Sequence, residues 1–222
     1  MGEGWQSVSQ VDLWLMVAKT QWGSVWCWHL AAAVLTVVLL SNQVRHGGYL
    51  LIVALLSQLL TLSLVGHVAM SVGIIGALHR INQFGHLLTA AFWSGGLLAL
   101  LNVMQEAKKA SWGEQATATM IRFSLYGHLA VATVILSGII NILLIQGWEF
   151  PSDTQYIRLL AIKIVLVGVM VILALFNRYF WLPRMKNRSS LAKRFFWYFT
   201  VAEQLIALLV LLLVSQFATL QP

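Results

Sequence analysis

Three histidines, His67, His79 and His86, lie around the junction between two long apolar runs of the sequence. Ionisable side chains are costly inside a bilayer, and those that occur there usually serve a functional site. A neutral imidazole binds transition metals and haem iron through a ring nitrogen. Three imidazoles gathered at one end of a helical hairpin therefore predict a metal or haem site.

Softer donors are predicted at the same level of the membrane. Met70 follows His67 by three residues and so shares its face of a helix, while the first apolar run carries Cys27 and His29. Imidazole, thioether and thiolate together favour copper, Cu(I) in particular, over Mg²⁺ or Ca²⁺, which prefer oxygen ligands. The candidate copper ligands are His67, His79, His86, Met70, His29 and Cys27.

Two other functions remain open on the same residues. A helical bundle can hold b-type haem between histidines of facing helices, with His67, His86 or His128 as axial ligands. Such a protein would be a membrane oxidoreductase or electron carrier; without haem we expect no enzymatic activity. The third alternative is a structural or assembly subunit of a membrane complex, in which the histidines serve only packing and hydrogen bonds.

A second polar set is predicted toward the other side of the membrane. Glu203 in the last apolar run is expected to pair with Arg178 or Arg122, because an unpaired carboxylate in lipid is costly. His128 and Glu203 lie where an inner relay would be needed for copper to pass through the bundle.

Composition places the chain in the membrane. Of its 222 residues 59% are hydrophobic and 9% are charged, whereas a soluble domain carries about 25% charged residues. The single cysteine, Cys27, excludes an internal disulfide framework. The net charge of +7 comes mainly from residues between the apolar runs. That pattern is typical of membrane topology and does not indicate a nucleic-acid partner.

The runs predict an all-α, polytopic bundle of about six transmembrane helices that forms one integral membrane domain over residues 1–222. Residues 1–23 are expected to be an interfacial segment, with a short helix over Val11–Ala18, and residues 24–218 the bundle. The second helix is expected to project beyond the lipid toward His79. The six runs are Ser24–Ser41, Tyr49–Met70, Gly85–Met104, Arg122–Ile145, Tyr156–Trp181 and Phe196–Ala218.

Basic residues predict the orientation of the bundle. Lys19, Arg80 and Arg158 are the basic residues on one side. The opposite side is much richer in them, so by the positive-inside rule it is cytoplasmic and both termini face outward. The cytoplasmic side carries Arg45, Lys108, Lys109, Arg184, Lys186, Arg188, Lys193 and Arg194.

Two stretches of this sequence resemble a known family. The first is Gly66-His67-Val68-Ala69, and the second, which opens the next helix, is His86-Leu87-Leu88-Thr89-Ala90-Ala91-Phe92-Trp93-Ser94-Gly95-Gly96-Leu97. Together they resemble the core motif of the CopD-type copper-resistance membrane proteins, here as a short form. His67 and His86 match motif histidines, and Trp93, Gly95 and Gly96 match structural positions of the motif.

The resemblance implies a multi-pass protein of the bacterial inner membrane that takes part in copper homeostasis and import. Copper would be captured at the periplasmic face and passed inward by ligand exchange. A CopC-type periplasmic copper carrier is the implied partner, beside the lipid bilayer itself. A homo-oligomer or a place in a larger complex is compatible with the same reading.

Overall fold

The computed structural model describes residues 9–41, 47–109, 114–148, 154–186, 190–217 and 220. Helices account for nearly all of them, and no β-strand occurs within these ranges. The all-α architecture predicted from the sequence is therefore confirmed. The α-helices are α1 (Val11–Ala18), α2 (Gln21–Ser41), α3 (Gly47–Leu62), α4 (Gly73–Lys109), α5 (Glu114–Gln146), α6 (Gln155–Phe176), α7 (Leu182–Lys186) and α8 (Ser190–Phe217).

Within the described ranges, five helical segments are long and apolar enough to cross a membrane. They correspond to α2, most of α4, the later part of α5, the continuous helix from α6 through α7, and α8. The remaining apolar helix, Gly48–Leu62, is shorter than the other five. At about 1.5 Å per residue it falls short of a 30 Å hydrocarbon core.

Close approaches of the backbone divide the chain into two compact units, Met1–Phe84 and Gly85–Pro222. In the first unit α1, whose bounds match the predicted short helix, is followed by α2 and α3. The hydroxyl oxygen of Thr20 accepts a hydrogen bond from the Gly23 amide at 3.0 Å, which caps the start of α2. Gln58 of α3 donates to the hydroxyl of Thr36 in α2 at 2.7 Å, a polar link between two otherwise apolar helices.

The prediction was wrong about where the second apolar run ends as a helix and where the third begins. α3 ends at Leu62 and is followed by a short 3₁₀-helix, Gly66–Met70, so no continuous helix projects toward His79. Gly66 and Gly73 adopt φ of 78° and 64°, left-handed conformations that glycine adopts without steric cost. Gly66 begins the 3₁₀-helix and Gly73 begins α4, whereas α3 has already ended before the extended backbone of Val65.

This break changes the place of every predicted histidine in the region. His67 lies in the 3₁₀-helix, not at the end of a transmembrane helix. α4 begins at Gly73, twelve residues earlier than predicted, and carries His79 in its second turn instead of in a connector. His86 therefore lies beyond the third turn of α4 and not in the first turn of a helix.

The second unit is built around side chains from four helices. Trp93 and Leu97 of α4 pack with Ala130 of α5, Met170 of α6 and Ala207 of α8. Thr154 caps α6 by accepting the Ile157 amide hydrogen bond at 3.3 Å. At its other end α6 passes into a π-helical turn, Asn177–Trp181, and then into α7. Single π-helical turns within α-helices are frequent at functional sites.

Candidate functional site

His79 is the most completely buried of the predicted ligands, with an exposed fraction of 0%. Its Nδ1 lies 3.1 Å from the hydroxyl oxygen of Ser71. Its Nε2 is buried and has no hydrogen-bond partner among the described residues. When the ring proton is on Nδ1, the Nδ1–H group donates a hydrogen bond to the Ser71 hydroxyl and Nε2 carries a free lone pair. This neutral tautomer is the form of imidazole that binds a metal.

The backbone before α4 brings Ser71 to this imidazole. A Cβ atom on Gly76 would lie only 2.3 Å from the carbonyl oxygen of Ser71. Only glycine at position 76 therefore lets the backbone at Ser71 approach the first turn of α4 this closely. The Gly76 amide donates to the carbonyl of Val72 at 3.1 Å and continues the first turn. The glycines at the start of α4 thus fold residues 71–72 against the helix that carries His79.

The other predicted ligands of the first unit have different surroundings. Met70 is 68% exposed and Cys27 is also exposed. His67 is half-buried beside the buried Val68 of the 3₁₀-helix. His29 of α2 makes a hydrogen bond between its Nδ1 and the Thr61 hydroxyl of α3 at 2.8 Å. His29 therefore links two helices, as Gln58 does.

In the second unit His86 contacts α5. Its Nδ1 lies 2.9 Å from the hydroxyl of Ser137, and a Cβ on Gly138 would be 3.4 Å from the ring. Ser71 and Ser137 were not foreseen as histidine partners. No spacing in the sequence indicates them, because each meets its imidazole only through the tertiary path of the chain.

His128 lies at another level of the second unit. Its ring packs edge-on against Tyr179 with centroids 5.7 Å apart. Ser137, which contacts His86, follows His128 by nine residues on α5, or about 14 Å along the axis. Axial ligands of a haem bind the same iron atom, so His86 and His128 are not placed to act as such a pair.

Glu203 is 1% exposed and belongs to a polar cluster of the second unit. Its Oε1 accepts a hydrogen bond from Nδ2 of Asn177 at 2.8 Å, and the same nitrogen donates to the Thr200 hydroxyl at 3.3 Å. The hydrogen-bond donor to Glu203 is thus a neutral amide, and an ion pair with Arg178 or Arg122 stays a prediction. Thr200 was not foreseen as part of this cluster, since a lone threonine in an apolar helix carries no special signal.

No group of three or more histidine, cysteine, aspartate or glutamate side chains lies close enough to hold a metal ion within the described ranges. The six predicted ligands therefore do not form one preassembled multidentate centre. A site built on His79 would use few protein ligands. An imidazole nitrogen in such a site suits Cu(I) better than ions that require many oxygen ligands.

The sequence matches two protein-family profiles. Residues 117–217 match the family described as Copper resistance protein D. Residues 1–77 match the family described as Copper resistance protein D-like, N-terminal domain. No solved structure matches the chain.

Three curated proteins are similar along nearly the whole chain. Inner membrane protein YebZ of Escherichia coli (strain K12) is 38% identical over 222 residues, which cover 100% of this chain and 76% of that protein. Copper resistance protein D of Pseudomonas syringae pv. tomato is 32% identical, over 94% of this chain and 71% of that protein. Copper transport protein CutJ of Bacillus subtilis (strain 168) is 26% identical, over 99% of this chain and 40% of that protein.

Proposed function

This chain belongs to the copper resistance protein D family, and from that membership we propose that it binds copper at His79 and carries it inward across the membrane. It is a multi-pass protein of the inner membrane with a copper-related role, as the names of its relatives and its apolar helices support. The proposal adds the site of capture and the direction of movement.

The observation that carries the proposal is the buried Nε2 of His79, which has no hydrogen-bond partner among the described residues. A buried polar atom without a partner is unfavourable and calls for an explanation, such as an ion that binds there. Histidines that bind metals usually have their second ring nitrogen fixed by a hydrogen bond. Ser71 supplies that bond to Nδ1.

Charge favours the monovalent form of copper at this site. Arg80 follows His79 directly and acts on it electrostatically. By Coulomb's law a neighbouring positive charge repels a divalent ion twice as strongly as a monovalent one. Copper would therefore bind as Cu(I), and His67 and Met70, which belong to the 3₁₀-helix that precedes α4, would take part in its exchange.

Capture at the periplasmic face follows from the predicted orientation of the helices. A CopC-type carrier would deliver the ion there, and the protein would act as a transporter and not as an enzyme. Copper is then the cargo, so the site should bind it reversibly. Few and mobile ligands suit this requirement, because an ion held by many rigid ligands would leave slowly.

Copper binding to purified His79→Ala protein tests the proposal. Competition with a coloured Cu(I) chelator under reducing conditions should show a loss of affinity of at least about 100-fold, since even the outer partners of a ligand contribute about 10–100-fold. Copper should also raise the Tm of the wild-type protein and leave that of His79→Ala unchanged.

His128→Ala is the matched control, because it removes a membrane imidazole from the second unit and leaves the first unit intact. It should bind copper as the wild-type protein does. An unchanged copper affinity in His79→Ala, or an equal loss in both variants, would contradict the assignment of His79.

A further inference from the structure

The second unit contains a partly open cavity of about 240 Å³ that the proposed copper site does not use. α4 contributes only apolar residues to its wall, Trp93, Leu97 and Leu100. The titratable or charged residues that line it are His128 of α5, Arg178 of the π-helical turn and Glu203 of α8. Asn177 and Thr200 complete the polar part of the lining.

The carboxyl group of Glu203 is held by a neutral donor. Asn177 Nδ2 donates to Glu203 Oε1 at 2.8 Å. The Thr200 hydroxyl donates to the Phe196 carbonyl at 2.8 Å, so its oxygen is left to accept from Asn177. In this cluster the Asn177 amide nitrogen and the Thr200 hydroxyl are the donors, and each hydrogen bond ends on an oxygen acceptor.

One acceptor in this cluster is left over. Oδ1 of Asn177 is buried and has no hydrogen-bond partner among the described residues, and the residue as a whole is 6% exposed. An ionised carboxylate offers only acceptors and cannot serve this atom. A protonated carboxyl offers one O–H donor as well, and a primary amide can pair with it through two hydrogen bonds.

We propose that Glu203 and Asn177 form a reversible proton-binding site inside the membrane-spanning part of the second unit. In the occupied state the proton resides on the Glu203 oxygen that does not accept from Asn177 Nδ2, and it is donated to Asn177 Oδ1. On release the O–H bond breaks, the proton leaves through the cavity to water, and the electron pair stays on the carboxylate. Arg178, which lines the same cavity, offsets the resulting negative charge.

The π-helical turn supports this assignment independently. Asn177 is its first residue, and the Leu182 amide donates to the Asn177 carbonyl, five residues back. This spacing widens the helix at the residue that holds Glu203. Such local widenings are frequent at functional sites in α-helices.

Infrared spectroscopy of the full-length protein in lipid nanodiscs tests the site without copper. At neutral pH, the wild-type spectrum minus that of Glu203→Gln should contain the carbonyl band of a protonated carboxylic acid, and this band should shift in D₂O. Alkaline pH should remove it reversibly. In Asn177→Leu the band should move to higher frequency, because the carbonyl loses its amide donor.

Asp12→Asn is the control, since it removes an exposed carboxyl of α1 in the first unit; its difference spectrum at neutral pH should lack the carbonyl band of a protonated acid. Carboxylate bands in the Glu203→Gln difference spectrum would overturn the proposal. Replacement of the acid band by carboxylate bands when Na⁺ is added at constant pH would also overturn it, in favour of a sodium site. Neither result depends on copper, so the copper and proton proposals can fail separately.

Discussion

His79 and His86 are held in the same way, each with Nδ1 beside a serine hydroxyl. In each case the hydrogen bond selects the orientation of the ring; in His79 it leaves Nε2 as the atom that remains for chemistry. For His79 that atom is buried and lacks a partner in the described part of the chain. At the scale of the residue, function therefore depends on a serine as much as on the histidine that it positions.

Ser71→Ala tests this dependence. Loss of the hydroxyl frees the His79 ring to reorient, so Cu(I) affinity should fall by about 10–100-fold while the ligand itself remains. Chelator competition measures the change. Ser63→Ala is the control, because Ser63 is a buried serine of the same unit whose hydroxyl donates to the Leu60 carbonyl of α3 and not to a histidine. Equal affinities of the two variants for copper would exclude a positioning role for Ser71.

At the scale of the element, glycine decides how closely the helices of the second unit approach. A Cβ on Gly96 would lie 2.0 Å from Cε2 of Phe123, whereas a Cβ on Gly95 would meet no atom within 4 Å. Phe123 packs against both apolar clusters that contain Trp93 and Leu100. Two adjacent glycines of the family-like stretch thus have different roles.

Gly96→Ala should destabilise the protein, because displacing the Phe123 ring costs about 1–3 kcal/mol, more than the roughly 1 kcal/mol that alanine adds to helix stability. Gly95→Ala should gain the same helix stability from alanine without displacing any side chain. Thermal unfolding in detergent compares the two variants with the wild-type protein. A Tm of Gly96→Ala equal to or above that of Gly95→Ala would show that the Phe123 ring adapts freely.

At the scale of the whole molecule, the distribution of basic residues predicts that both termini lie outside the cytoplasm. Arg80 lies in the second turn of α4 and not in a connector as predicted. The predicted cytoplasmic side still carries more basic residues than the side of Arg80. Lys108 and Lys109 end α4, and Arg194 lies in the first two turns of α8. The charge bias is thus carried by the ends of helices as well as by their connectors.

Cysteine labelling measures this orientation. In a Cys27→Ser background, Gln221→Cys should react with a membrane-impermeant maleimide in intact spheroplasts, because the C-terminus is predicted to face the periplasm. Ala110→Cys, whose position in the sequence directly follows Lys108 and Lys109 on the predicted cytoplasmic side, should react only after the membrane is permeabilised. The reverse pattern of labelling would invert the topology and move His79 to the cytoplasmic side.

Membership of the membrane class, the approximate position of each apolar helix and the short helix Val11–Ala18 were determined by the sequence itself. These properties depend on composition and on the length of apolar runs, which are local. The end of α3 at Leu62 and the start of α4 at Gly73 were not predicted. The start of α4 coincides with the left-handed φ of Gly73, and the left-handed φ of Gly66 follows the end of α3 by four residues. Gly95 and Gly96, by contrast, lie within continuous α-helix, so a glycine in the sequence does not by itself mark a break.

The chemistry of the candidate sites was decided by tertiary structure. The sequence identified His79 and Glu203 as unusual residues, but it assigned Glu203 a charged partner and His79 a place in a loop. Their partners, Ser71 and Asn177, come from other segments, and whether a ring nitrogen or a carboxyl oxygen is paired depends on distances of a few tenths of an ångström. Residue types and spacing along the chain do not specify such distances, because they arise only when the chain folds back on itself or separate helices pack.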